Sequence, residues 1–292
     1  MTPVLHPKHV ASVIKYHRDP IRALEIFNSV VKEDGFKHNL LSYKCMIEKL
    51  GCHCEFKAME NVLSDMRMNI DKGLLEGVYV GVMKIYGRYG RIQEAVDVFE
   101  RMDFYNCEPS VLSYNAIMNI LVEYKYFDQA HKVYLRMLDK GIVPDVYTFT
   151  IRIKSFCRTN RPHVALRLLK NMPEQGCNFN SVAYCTLIGG FYEENFKVEA
   201  YDLFDEMLNQ VGFVPSLPTF GRILNCLCMK QWLKEAVGVI HTMVNKGIVP
   251  EVVKSIFKID KRELQLPYLF WVEVKKSGRP NLYLWMRSVE LR

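Results

Sequence analysis

Val111–Asp145 reads VLSYNAIMNILVEYKYFDQAHKVYLRMLDKGIVPD: two short amphipathic stretches, a turn between them, and a glycine followed closely by a proline. Weaker copies lie on both sides, and spacing is the test for a repeat. Met66, Met102, Met137, Met172, Met207 and Met243 are separated by 36, 35, 35, 35 and 36 residues. Ala95, Ala130, Ala165, Ala200 and Ala236 keep the same beat, as do Tyr43, Tyr79, Tyr114, Phe149, Tyr184 and Phe220. Three residue classes in one register define a tandem array.

Within each repeat the apolar residues fall at i, i+3, i+4 and i+7, the spacing of one helix face. In the central repeat these are Tyr114, Ile117, Met118 and Leu121, then Ala130, Val133, Tyr134 and Met137. Alanine at the start of the second stripe lets paired helices approach closely. One face per repeat makes no core alone, so each helix pair must stack on the next. The spacing therefore predicts an all-α fold, an α-solenoid of about seven helix-turn-helix pairs, and we expect it to wind as a right-handed superhelix. Gly141, Gly176, Gly212 and Gly247 stand where a left-handed helix cap is expected, and Pro109, Pro144, Pro215 and Pro250 stop the second helix.

Taking Val111 as a first residue, repeats run over 5–39, 40–75, 76–110, 111–145, 146–180, 181–216 and 217–251. We expect residues 1–39 to form an N-terminal cap with a degenerate repeat, 40–251 the main array, and 252–292 a capping helix with an irregular tail. Leu266–Arg292 is aromatic and basic without period, and it has no physical reading.

Composition bounds the rest. The chain has 292 residues, 49% of them hydrophobic, and a formal net charge of +7. That charge permits a polyanionic partner without requiring one. Nine cysteines scattered over different repeat positions do not form a disulfide framework and read as reduced thiols. Cys52-x-Cys54 and Cys226-x-Cys228 lack zinc-site spacing and are expected to be structural. No apolar run reaches the ~18 residues of a membrane span. The array begins within a few residues of Met1, which leaves no room for a transit segment; either the protein is cytosolic or its true N-terminus is missing. No deaminase signature, phosphate loop or nucleophile with a partnered base is present, so no catalytic residue, metal or cofactor is expected.

Tyr114-Asn115, the Ala130 stripe, Met137, Gly141 and Pro144-Asp145 together resemble the pentatricopeptide repeat, and uniform repeat length resembles its P-class. That resemblance implies single-stranded RNA binding in a plant organelle, a mitochondrion or alternatively a chloroplast. It also implies a monomer, with RNA-processing proteins as further partners. In this family the residue after the aromatic and the last residue of the repeat read one base together. The implied pairs are Val80 with Ser110, Asn115 with Asp145, Thr150 with Asn180, Cys185 with Ser216, and Gly221 with Glu251. Asn with Asp resembles a uracil-preferring pair and Thr with Asn an adenine-preferring one. The second residue of a repeat is expected to wedge against a base, as Leu112, Tyr147 and Val182 would. Arg88, Arg158 and Lys230, near the ends of first helices, are the expected phosphate contacts, interrupted by Glu123 and Glu193. Two other readings remain: a helical scaffold for protein partners, and a fragment of a longer protein.

Overall fold

The computed structural model describes residues 6–32, 36–209, 223, 224, 226, 227, 230 and 232–245. Among these, all regular structure is helical, and no helix is long and apolar enough to cross a membrane. The chain divides into two compact bodies, Met1–Pro144 and Asp145–Arg292. The first holds α1 (Pro7–Tyr16), α2 (Pro20–Val30), α3 (Leu40–Cys52), α4 (Phe56–Asn69), α5 (Glu76–Arg88), α6 (Ile92–Phe104), α7 (Val111–Glu123) and α8 (Phe127–Asp139). The second holds α9 (Val146–Arg158), α10 (Pro162–Asn171), α11 (Ser181–Glu193), α12 (Lys197–Asn209) and α13 (Leu233–Asn245).

In the first body α1, α3, α5 and α7 pack side by side in chain order, and each is backed by its own second helix. In the second body α9 packs on α11, with α10 and α12 behind them. Each body by itself has the α-solenoid arrangement: one layer of first helices, one of second helices, and a core between. The expected stripes fill that core. Met66, Met102, Met137, Met172 and Met207 are all fully buried, as are Ala95, Ala165 and Ala200. Met59, where the second repeat lacks its alanine, is buried equally well.

Backbone chemistry sets the helix lengths. The first helices α3, α5, α7, α9 and α11 are each followed by a left-handed residue: Cys54, Gly90, Lys125, Asn160 and Asn195, all with φ between 58° and 73°. The amide of the residue that follows closes a six-to-one bond, as Arg91 N–H does to the Tyr86 carbonyl at 3.0 Å and Tyr126 N–H to Leu121 at 2.8 Å. This is the Schellman geometry. Second helices end the same way through Asn106, Gly141 and Gly176. Gly212 and Gly247 lie outside the described residues. Cys52 and Cys54 depart from the expected packing role, because both are exposed. Cys52 ends α3 and Cys54 is the left-handed turn residue, so neither faces the core.

Helix contacts within each layer depend on matched small and large residues. An added β-carbon at Gly51 would meet the Ile85 side chain at 2.7 Å, and one at Gly87 would meet Ile120 at 3.0 Å. Between α9 and α11 the sizes are reversed, with Cys157 occupying the space over Gly190.

The degenerate first repeat is anchored differently. His38 stacks on Phe27 with ring centres 3.7 Å apart, and its Nε2 donates to the Phe27 carbonyl at 2.8 Å. Burial disfavours the charged imidazole and holds its pKa below the ordinary 6.5, while the carbonyl bond pulls weakly the other way. The unfolded chain therefore binds the proton more readily. Stability contributed here is complete above pH 6.5 and declines as pH falls towards the folded-state pKa. Thermal unfolding between pH 7.5 and 5.5 should show this decline, and His38→Gln should flatten it.

Candidate nucleic-acid interface

The second residue of a repeat begins the exposed rim of each first helix. Leu112, Tyr147 and Val182 are 49%, 50% and 41% exposed, and Leu41 matches them at 46%. Apolar side chains left half in water at one register position suit a ligand with flat faces. Gly77 holds this position in α5 with nothing within 4 Å of an added β-carbon.

Three residues along each helix stand the expected base readers, and the four described ones, Val80, Asn115, Thr150 and Cys185, are all deep. Asn115 is 2% exposed and Thr150 7%. Thr150 Oγ1 donates to the Val146 carbonyl at 2.8 Å, leaving its lone pairs as acceptors. Val80 is buried, and the Cys185 thiol points to Met207 Sδ at 3.8 Å. These two side chains contribute packing to their layers.

The closing residues of the repeats have a second duty that residue pairing did not reveal. Ser110, Asp145 and Asn180 are the N-caps of α7, α9 and α11. Asp145 Oδ1 accepts from the Thr148 amide at 2.7 Å, within a capping box. Asn180 accepts from the Ala183 amide at 2.7 Å. Ser110 accepts from the Leu112 amide, and its own hydroxyl donates to Glu76 at 2.7 Å. The signal was present as a polar residue followed three later by Ser or Thr at Ser110, Asp145 and Asn39. Ser216, Gly221 and Glu251 lie outside the described residues. Asn115 and Asp145 belong to different bodies, whereas Thr150 and Asn180 share one.

Arg88, Arg158 and Lys230 are exposed, and so are Glu123 and Glu193. Arg88 Nη1 lies 3.7 Å from Cys52 Sγ. Lys230 falls one residue further along its repeat than the arginines, and its Nζ donates to the Glu193 carbonyl at 2.8 Å. Tyr124 reaches back to the Gly87 carbonyl in the same manner. A further basic feature was missed: Lys15, Lys44 and Lys49 line a pocket of about 410 Å³ between α1 and α3, together with Leu41, Cys45, Cys52 and one acid, Glu48, which pairs with Lys44 at 4.0 Å. Reading one position per repeat could not find it, since its lysines come from different positions of adjacent repeats. No group of three or more metal-ligating side chains occurs among the described residues. Burial pushes the Cys157 thiol up to about 12 and Cys226 to about 11, so both stay protonated at neutral pH.

The fold and this rim define a class: a helical-repeat protein whose first-helix layer presents apolar rims and buried polar groups at a fixed interval. Comparison with known proteins narrows it. The model described as PPR repeat family matches residues 109–158, Pentatricopeptide repeat domain matches 78–124, and PPR repeat matches 147–177, 182–210 and 218–248, together more than half of the sequence. The chain belongs to the pentatricopeptide repeat family. A pentatricopeptide repeat-containing protein of Arabidopsis thaliana is 64% identical over 132 residues, which are 45% of this chain and 17% of that protein. Another from the same plant, mitochondrial by name, is 28% identical over 181 residues, covering 62% of this chain and 45% of its own. The crystal structure of the pentatricopeptide repeat protein PPR10 in complex with an 18-nt psaJ RNA element shares the fold at a TM-score of 0.54 and 19% identity, covering 85% of this chain and 41% of that one. The chain thus spans 17% to 45% of the length of these three proteins.

Proposed function

We propose that this chain binds single-stranded RNA and performs no chemistry on it, each competent repeat meeting about one base. The observation that carries the reading is the recurrence of half-exposed Leu112, Tyr147 and Val182 at one position of their repeats, each three residues before a buried reader position. Unstacked bases offer both a flat face for such a rim and a Watson–Crick edge for Asn115 or Thr150. Duplex RNA offers neither. Arg88, Arg158, Lys230 and the Lys15/Lys44/Lys49 pocket supply a salt-dependent, sequence-independent share of the affinity. By the company of its mitochondrial relatives the chain acts in an organelle, a mitochondrion before a chloroplast, as a P-class monomer that shields a transcript or presents it to processing proteins.

Buried, apolar Val80 and Cys185 favour a second reading in part: those two repeats act as spacers, and a surface made mostly of spacers is a protein-binding scaffold. Fluorescence anisotropy separates the two. A labelled single strand should bind, its annealed duplex should not, and Tyr147→Ala should weaken the single strand by about 1–3 kcal/mol, the usual worth of an aromatic stacking platform. Equal binding of strand and duplex, or no change in Tyr147→Ala, would favour the scaffold.

A further inference from the structure

A pocket of about 230 Å³ lies on the second-helix side of the first body, between α4 and α6 over α5. Arg67, Tyr79, Arg101 and Tyr105 line one wall of it. Tyr79 is 1% exposed, and its hydroxyl makes no hydrogen bond of good geometry, although the Arg67 guanidinium stands close enough to interact with it; the buried Nε of Arg67 has no partner either. Buried polar groups left unsatisfied are rare enough to call for a ligand or a role.

Comparison among the repeats explains how the tyrosine came to be alone. Tyr43 donates to Asp65 at 2.7 Å and Tyr184 to Glu206 at 3.0 Å, in each case 22 residues ahead. The residue 22 ahead of Tyr79 is Arg101, an arginine as at Arg136 ahead of Tyr114, and it accepts nothing; Tyr114 interacts with its arginine, whereas no such interaction of Tyr79 with Arg101 occurs. The Arg67 guanidinium lies 3.8 Å from the Tyr105 ring centre and 5.8 Å from that of Tyr79, and the two rings are parallel to within 4°. One flat face of the guanidinium is stacked on Tyr105, so its free bonding capacity, the unpartnered Nε included, lies in its own plane. The pocket's acids are already engaged. Glu60 accepts from the Tyr86 hydroxyl at 2.6 Å, Glu94 from Arg91 at 2.6 Å, and Asp97 from Gln93 at 2.9 Å. The groups left with unused donor capacity are Arg67 and the Tyr79 hydroxyl, with Arg101 beside them.

We propose that this pocket binds a carboxylate group, received edge-on by Arg67 and capped by the Tyr79 hydroxyl. A planar, bidentate acceptor fits an in-plane guanidinium edge. Three arginines and three carboxylates line the pocket in balance, which suits a monoanion better than a phosphate dianion. The volume admits a small acid or a single Asp or Glu side chain of a partner, and these two sources share the chemistry. The site is on the side away from the first-helix rim, so it stands or falls independently of RNA binding.

The test uses the whole chain at constant ionic strength, with acetate, inorganic phosphate and chloride as probes, and a blocked peptide carrying one Glu beside its Gln counterpart. The Arg67 Nε–H resonance and the unfolding midpoint are read together. Acetate or the Glu peptide should shift both where chloride and the Gln peptide do not. Phosphate should act more weakly. Arg67→Gln should abolish the response, and Tyr79→Phe should weaken it about tenfold. Response to acetate alone assigns a free acid, and to the peptide alone a partner side chain. No carboxylate-specific shift, or a Tyr79→Phe variant that is more stable and responds like the parent, would overturn the proposal.

Discussion

Alanine at Gly190 should lower stability by about 1–2 kcal/mol, whereas alanine at the adjacent Gly189 should raise it by up to about 1 kcal/mol. Both glycines are inside α11, where alanine is intrinsically the better helix former. They differ in what a β-carbon would meet. At Gly189 nothing lies within 4 Å, so only the propensity gain remains. At Gly190 the new atom would stand 2.6 Å from Cys157 Cβ and 3.5 Å from its Cα. A β-carbon fixed to backbone cannot swing aside as a side-chain tip can, so α9 and α11 must separate. Urea unfolding of the two variants measures the opposite signs. Cys157→Gly in the Gly190→Ala background should recover part of the loss by restoring a small residue on one side. If Gly190→Ala were as stable as Gly189→Ala, the reciprocal packing of first helices would not be what sets their spacing.

Exchanging the pair of the fourth repeat for that of the fifth, Asn115→Thr with Asp145→Asn, should move base preference at that position from U to A by about tenfold, near the worth of one hydrogen bond. The double variant is chosen with the fold in mind. Asp145 caps α9, and asparagine caps a helix as well as aspartate does, so Asp145→Asn leaves the cap in place. Asp145→Ala would confound reading with unfolding, since losing the cap alone costs about 1 kcal/mol. Binding of oligonucleotides differing only at that base reads the result. An unchanged preference with unchanged stability would remove the reading role from this pair.

The core was legible in the sequence because burial repeats with the helix. Met102, Tyr114 and Ala165 recur at one interval, and each proves fully or almost fully buried. Features that depend on backbone conformation were harder to see. Lys125 and Cys54 occupy left-handed turns that glycine or asparagine usually fill, and only their spacing from Gly90, Asn160 and Asn195 betrays them. Contacts between repeats were hidden for another reason. The pairing of Gly51 with Ile85 and the reversed pairing of Cys157 with Gly190 involve different positions in neighbouring repeats, and aligning repeats column by column separates them. The same blindness concealed the Lys15, Lys44 and Lys49 pocket and the orphaned Tyr79 hydroxyl. The candidate site was legible as a register but not as an environment. Nothing in the residue types of Asn115 and Thr150 told that both side chains would be buried, or that Asp145 and Asn180 would also hold helix ends.

Selection from a pool of randomised single-stranded RNA tests the central claim most directly, because it asks the unaltered chain which bases it prefers and in what order. Helix pairs that each present one polar pair to one base should enrich a U next to an A, served by Asn115/Asp145 and Thr150/Asn180, flanked by positions with little preference. Enrichment of no motif, or of one in which U and A are not adjacent, would contradict the account.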